Sequence, residues 1–97
     1  MIIIVKRTLL EFSNKHATAA EPLNQWYLKA KYANWSSLAE IKNDFNHVDY
    51  VGNDRYVFNI KGNTYRLVTM IFFDTRTIYI RFIGTHKEYD KVDCKNI

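Results

Sequence analysis

In the first half of the chain, apolar residues recur at helical spacing after a short β-branched start. Residues 2–5 predict an N-terminal strand. A first helix is expected from Lys6 to about Ala19, and Pro22 suits the first turn of a second. A capping-box pattern at residues 37–40 opens a third. The predicted inward positions are Leu9, Phe12 and His16 in the first helix, Leu23, Trp26, Tyr27 and Ala30 in the second, and Leu38, Ile41 and Phe45 in the third.

After Asn46 the pattern changes to strands. They are expected at about 47–51, 55–61, 64–73 and 77–84, separated by turn residues. Helices followed by a strand meander predict an α+β protein with helices on one face of an antiparallel sheet. The length suits a single domain spanning 1–97.

Strand alternation predicts which residues share a face of the sheet. A two-residue loop at Gly62-Asn63 sets Asn59 opposite Arg66. A two-residue loop at Thr75-Arg76 would set Arg81 opposite Met70. Residues opposite each other lie on the same face, so a core face and a free face can be assigned. The predicted core face holds Tyr56, Phe58, Ile60, Tyr65, Leu67, Thr69, Ile71, Phe73, Ile78, Ile80 and Phe82. The predicted free face holds Asn59, Lys61, Arg66, Tyr79 and Arg81 among Val57, Val68, Met70, Phe72 and Ile83.

Composition adds a modest positive charge. The net charge is +4, of which residues 51–97 carry +3, with eight basic and five acidic side chains. Such an excess suits a polyanion or an acidic partner. The single Cys94 cannot form an internal disulfide, which fits a reducing cytoplasm, and it is interpreted as an incidental thiol. The apolar start is too short for a signal peptide or a membrane span, so no membrane association is expected.

The stretch Arg81-Phe82-Ile83-Gly84-Thr85-His86-Lys87-Glu88-Tyr89-Asp90 holds most of the candidate chemistry. Thr85 and Glu88 fit a capping box, so a helical turn should start at His86 and bring Tyr89 and Asp90 to its side. Free amides of that turn would bind an anion beside Arg81. The helix terminus would disfavour the cationic imidazole, as a general base requires. The alternative is a capped turn with surface side chains.

This run, with Tyr56-Val57-Phe58-Asn59-Ile60-Lys61-Gly62-Asn63 and Tyr65-Arg66-Leu67-Val68 before it, resembles the HigB toxins of bacterial toxin–antitoxin pairs. These belong to the RelE-like superfamily of messenger-RNA-cleaving toxins. The resemblance is strongest over residues 56–90 and weaker over the helical half. It implies a RelE-type architecture, cleavage of mRNA on the ribosome, and neutralisation by a helix-turn-helix antitoxin. Operator DNA would be bound only through that antitoxin.

Cleavage by such a toxin implies attack of a ribose 2′-OH on its own 3′ phosphate, which needs a base, an acid and cations. His86 is the candidate base or acid, Arg66 and Arg81 the phosphate clamps, and Tyr89 an orienting or proton-transfer partner. Three further residues, Asn59, Lys61 and Lys87, would position RNA. No cofactor is expected, and no metal, because no Cys, His or Asp lies at ligand spacing around His16 or His47.

Two other functions stay open. A non-catalytic RNA-binding sheet would need exposed aromatic side chains that stack on bases, for which only Tyr79 and Phe72 are candidates. A ParE-like toxin would share the fold, bind a protein target and lack a nuclease site. Codon preference, ribosome dependence and oligomeric state do not follow from the sequence.

Overall fold

A computed structural model describes residues 1–97. The elements run in the order β1 (Ile2–Ile4), α1 (Lys6–Lys15), a 3₁₀ turn (Ala17–Ala19), α2 (Ala20–Tyr32), α3 (Leu38–Asp44), β2 (Val48–Gly52), β3 (Arg55–Ile60), β4 (Tyr65–Phe72), β5 (Thr77–Thr85) and α4 (His86–Tyr89). The strands form one sheet in the order β1-β5-β4-β3-β2. Strands β2 to β5 are the predicted antiparallel meander, and β1 joins β5 in parallel. The predicted α+β architecture is confirmed. None of the helices has the length and apolar character needed to span a bilayer.

The helices bury their apolar stripes on one face of the sheet, as predicted. Trp26 of α2 is almost fully buried and packs edge-on against Phe58 of β3, with ring centroids 5.4 Å apart. Burial of one such side chain contributes about 1.5–3 kcal/mol. The helix expected to reach Ala19 ends instead at Lys15, where His16 leaves helical geometry and stacks on Phe12 at 4.4 Å. Ser37 caps α3 as expected, accepting a hydrogen bond from the Glu40 amide.

The predicted register of β3 and β4 is confirmed, with Asn59 opposite Arg66. The predicted register of β4 and β5 is wrong, because the connecting loop spans residues 73–76 rather than two residues. Tyr79 therefore stands opposite Met70, where Arg81 was expected. A shift of two residues preserves the faces, so Ile78 and Ile80 still belong to the core side.

A bulge in β5 changes the faces beyond that point. Thr69 pairs with Ile80 and Val68 pairs with Phe82, so Arg81 is an extra residue without a partner. An extra residue inverts the alternation that follows it. Ile83 now lies opposite Leu67 and packs on the core, while Phe82 lies opposite Val68 on the other face. The predicted faces of Phe82 and Ile83 are thus exchanged. Because Phe82 and Ile83 are adjacent and both apolar, the alternation pattern could not show which of them faces the core.

The face predicted to be free is partly covered. Val57 and Val68 are buried, although neither belongs to the helix-side core, and Arg66 is only 9% exposed. The chain after α4 returns across this face to the β2–β3 hairpin. There the Arg55 guanidinium donates to the Ile97 carbonyl at 2.7 and 3.1 Å, and the Asn53 amide donates to the Lys95 carbonyl at 3.2 Å. The end of the chain thus supplies a second, thinner layer.

Candidate functional site

A row of polar residues crosses the covered face from β2 to β5. Asn59 pairs with Arg66, and Arg66 pairs with Gly84. The backbone amide of Asn59 donates to the backbone carbonyl of His47, just before β2, at 3.1 Å. Directly opposed residues in antiparallel strands have Cβ atoms about 4.5–5.5 Å apart. Asn59 and Arg66 are therefore neighbours, as predicted, and exposed His47 lies next along the row.

Arg66 is a buried cation with no carboxylate partner. Its Nη1 donates to the carbonyls of Asn63 and Tyr65 at 3.2 and 3.5 Å, and its Nη2 donates to the Asn63 side-chain oxygen. The Tyr89 ring lies 5.8 Å from the guanidinium carbon. Burial of an uncompensated charge is costly, and neutral carbonyls satisfy its hydrogen bonds without cancelling the charge. The arrangement keeps a positive field available for an anion.

The short helix α4 is held at the end of β5 by the predicted capping box. The Thr85 hydroxyl accepts from the Glu88 amide at 3.2 Å, and the Glu88 carboxylate accepts from the Thr85 amide at 2.8 Å. The hydrogen bond from the Thr85 amide holds the pKa of Glu88 below its usual value. The His86 amide donates to the Thr64 carbonyl at 3.2 Å. The expected anion site of free first-turn amides is therefore wrong for His86 and Glu88, whose amides are engaged.

His86 and Asp90 lie on one side of α4, as predicted. The His86 Nε2 is 3.6 Å from an Asp90 carboxylate oxygen, and the two side chains are 48% and 60% exposed. The imidazole is open to solvent and has a carboxylate beside it, so it can give or accept a proton.

Tyr89 connects α4 to Arg66 and to the end of the chain. Its hydroxyl donates to the Cys94 sulfur at 3.6 Å. Burial and the neighbouring Cys94 raise the pKa of Tyr89 to about 12, against the opposing effect of Arg66. The phenol is therefore protonated at neutral pH. Cys94, interpreted from the sequence as an incidental thiol, thus contacts one of the candidate residues.

Three predicted cations stand apart from this cluster. Arg81 is exposed at the β5 bulge and forms neither a hydrogen bond nor an ion pair. Lys61 is exposed in the β3–β4 turn, and Lys87 is exposed on α4. Arg66 is adjacent to Asn59 and to the Tyr89 ring, whereas Arg81 forms no hydrogen bond or ion pair with any of the three. No three His, Cys, Asp or Glu side chains come close enough together to hold a metal ion.

Two supporting residues escaped the sequence analysis. Asn63 was interpreted only as a turn residue, yet it holds Arg66. Asp49 of β2 lies near enough to Tyr89 to help raise the pKa of its phenol. Continuing the strand alternation into β2 would have revealed Asp49, since it stands opposite Val57 on the face of Asn59 and Arg66. Nothing in the turn pattern marked Asn63 as a partner for Arg66.

A helix-backed meander with a basic and aromatic cluster at its last strand defines a RelE-like protein. Comparison with known proteins gives the family: the chain belongs to the HigB toxins, described as the RelE-like toxic component of a toxin–antitoxin system, whose family model matches residues 19–92. That range contains every predicted site residue.

Individual relatives agree with this assignment. The mRNA interferase toxin HigB of Escherichia coli strain K12 is 33% identical over 93 residues, covering 93% of this chain and 88% of the relative. An mRNA interferase HigB of Shigella flexneri matches with the same identity and coverage. Another, from Escherichia coli O6:H1, is 30% identical over 94 residues, covering 95% of this chain and 91% of that protein. The family predicted from the motifs is confirmed.

Proposed function

We propose that the chain is an endoribonuclease that cleaves mRNA without a metal ion and acts as the toxin of its pair. The observation that carries this proposal is the buried, carboxylate-free Arg66 beside Tyr89 and the His86 helix. The names of the relatives, mRNA interferases, support the same substrate. In the reaction, a ribose 2′-OH attacks the adjacent phosphorus as the bond to the 5′ oxygen breaks. The products are a 2′,3′-cyclic phosphate and a 5′-OH.

Arg66 stabilises the charge that grows on the phosphate oxygens. Its guanidinium is fixed by Asn63 before substrate arrives, so little reorganisation is needed during the reaction. A planar fork also matches two phosphate oxygens at once. A single preorganised contact of this type is worth about a hundred- to thousandfold in rate.

His86 transfers a proton either from the attacking 2′-OH or to the leaving 5′ oxygen. Acting as base it would take the proton of the 2′-OH, and acting as acid it would protonate the departing 5′ oxygen. Asp90, 3.6 Å from the imidazole Nε2, orients the ring. His47, exposed beside Asn59, is the next candidate for proton transfer. Tyr89 stays protonated and positions both Arg66 and the substrate.

RNA outside the scissile phosphate would follow the exposed cations. Lys61 and Lys87 flank the Arg66 row, on the β3–β4 turn and on α4, and Arg81 extends the charge along β5. Asn59 supplies amide groups within the row. Exposed lysines and arginines contribute sequence-independent attraction for the RNA backbone, which falls with salt.

The remaining parts of the proposal come from the family. The substrate would be mRNA on the ribosome in the cytoplasm, the antitoxin a helix-turn-helix protein, and operator DNA would be bound only through it. The described chain would act as one domain over 1–97.

Product chemistry tests the proposal. Purified protein is incubated with free RNA in excess EDTA, and separately with programmed ribosomes in Mg²⁺, which the ribosome itself requires. We expect fragments with 5′-OH ends from ribosome-bound mRNA, and the same ends from any free RNA that is cleaved, detected by kinase labelling without prior phosphatase treatment. A His86→Ala protein is the matched control.

Two results would contradict this mechanism. Fragments with 5′-phosphate ends would indicate metal-assisted attack by water, as would free-RNA cleavage abolished by chelation and restored by Mg²⁺. RNA binding without any cleavage would instead favour the sheet-binding alternative that uses Tyr79.

A further inference from the structure

Two exposed apolar side chains, Ile2 and Tyr32, line one groove of the molecule. Eight large apolar side chains are exposed, and six of them come from β1, the residue after it, α1 and α2. These six are Ile2, Ile4, Val5, Leu10, Leu28 and Tyr32. Scattered exposed apolar residues need no explanation, but exposed apolar side chains that line a groove can form part of an interaction surface.

A groove of about 640 Å³ lies between β1 and the C-terminal end of α2. Its wall on the β1 side is fixed by the Met1 amino group, which donates to the carbonyls of Ala30, Lys31 and Ala33 at 2.7–3.3 Å. Tyr27 and Tyr32 form part of the opposite wall. The groove therefore exists before any partner binds.

The strand beside this groove has an unpaired edge. β1 is the last strand of the sheet, and it pairs with β5 only. The Ile2 amide donates to the Arg76 carbonyl at 2.7 Å, so by alternation the amide and carbonyl of Ile3 point away from β5. No proline or charged residue protects β1. β1 is only three residues long, but the amide and carbonyl of Ile3 are free to pair with another strand.

The positive charge of the groove indicates which side chains a strand bound there would need. Lys31 and Arg76 line the groove, and no carboxylate does. Arg76 donates to the carbonyl of Trp35 and the side chain of Asn34, so its charge is not neutralised. A second copy of this chain would bring like charges together. An acidic, apolar segment from another protein would be complementary.

We propose that this groove docks the antitoxin. An extended antitoxin segment would add a strand to the free edge of β1, place apolar side chains against Tyr27 and Tyr32, and set carboxylates against Lys31 and Arg76. The proposal rests on membership in a family of toxins that act in toxin–antitoxin systems. None of the groove-lining residues belongs to the α4 site.

Charge reversal and edge blocking test the surface. Lys31→Glu and Ile2→Asp are compared with Lys42→Glu, an exposed α3 lysine outside the groove. Each is expressed alone and with the antitoxin from the same operon. We expect all three to arrest growth alone, and only the Lys42→Glu protein to be neutralised. Purified antitoxin should bind the two groove variants at least about tenfold more weakly, the effect of one lost interaction of about 1.4 kcal/mol. Groove variants neutralised and bound like the parent protein would overturn the proposal.

Crosslinking tests the same surface without altering its charge. A photoreactive phenylalanine analogue replaces Tyr32, and in the control it replaces Tyr50, which is exposed on β2. In the purified complex, the Tyr32 position should crosslink to a carboxylate-bearing antitoxin segment and the Tyr50 position should not. Crosslinks from the Tyr50 position alone would place the antitoxin elsewhere. Crosslinks between two copies of this chain would make the groove a dimer interface. Either result would overturn the proposal even if the variants failed to fold.

Discussion

The two faces of the sheet are buried by different means. On one face, three helices cover a core of sixteen buried residues, with Phe58 and Leu67 fully excluded from water. On the other, a four-residue helix and the end of the chain cover Val57, Val68 and a charged Arg66. The first face stabilises the fold through apolar burial. The second face buries a cation, which costs stability, and this cost is consistent with the proposed role of Arg66 in binding phosphate.

The largest expected effect concerns proton transfer on the second face. His86→Ala should lower the cleavage rate by about a hundred- to ten-thousandfold, the range for general acid–base catalysis. The side chain is exposed, so the melting temperature should hardly change. His86→Gln should be as inactive, and one limb of the pH–rate curve measured on the parent protein should disappear in both variants.

A fully toxic His86→Ala protein would show that the acid or base lies elsewhere. His47 would be the next candidate, since its backbone carbonyl accepts a hydrogen bond from Asn59 in the same polar row. Binding of the variant to the antitoxin serves as the control for folding.

The second prediction compares the faces directly. Arg66→Lys keeps a positive charge but loses the fork, and it should reduce cleavage by about a hundredfold or more with a smaller loss of stability than a core truncation causes. Phe58→Ala on the core face should instead cost about 3–5 kcal/mol of unfolding free energy. Chemical denaturation and a cleavage assay on both proteins separate the two outcomes. If Arg66→Lys unfolds as readily as Phe58→Ala, the second face serves stability, and the contrast between the faces fails.

Much of the fold followed from pattern, and the exceptions have local causes. Helical stripes and the β3–β4 turn signal predicted the helices and the Asn59–Arg66 pairing correctly. The β5 bulge was missed because Phe82 and Ile83 are both apolar, so either could face the core. Local periodicity cannot show such an insertion.

The sequence predicted those parts of the candidate site that depend on neighbouring residues, and missed those that depend on distant ones. The α4 capping box and the His86–Asp90 contact depend on near neighbours in sequence, and the motif was sufficient. The contacts of Arg66 with Tyr89, and of Arg55 with Ile97, depend on where the end of the chain returns. No spacing rule describes that return, so the covered face was predicted to be free.

A smaller effect is expected for Arg81. This side chain is exposed and forms no hydrogen bond or ion pair, so Arg81→Ala should change the unfolding free energy by no more than about 0.5 kcal/mol. If it attracts RNA without clamping the scissile phosphate, the variant should lose about tenfold in RNA affinity and show a weaker salt dependence. Arg81→Lys should restore most of that loss. A thousandfold loss that lysine cannot restore would make Arg81 a second phosphate clamp, as the sequence first suggested.

The smallest effect tests how the end of the chain covers the second face. The pKa of Tyr89 is raised to about 12 in the folded protein, above its ordinary value near 10. The stability linked to this phenol is therefore fully present below pH 10 and is lost as the pH rises towards 12, because the unfolded chain ionises first.

Tyr89→Phe removes the titrating group and keeps the ring on Arg66. Urea denaturation of both proteins from pH 9 to pH 12 should show a shallower alkaline loss of stability in the variant. Lysines and Tyr56 titrate in both proteins, so the difference between the two curves isolates Tyr89. Parallel curves would mean that the phenol is open to water in solution and that the end of the chain does not bury it.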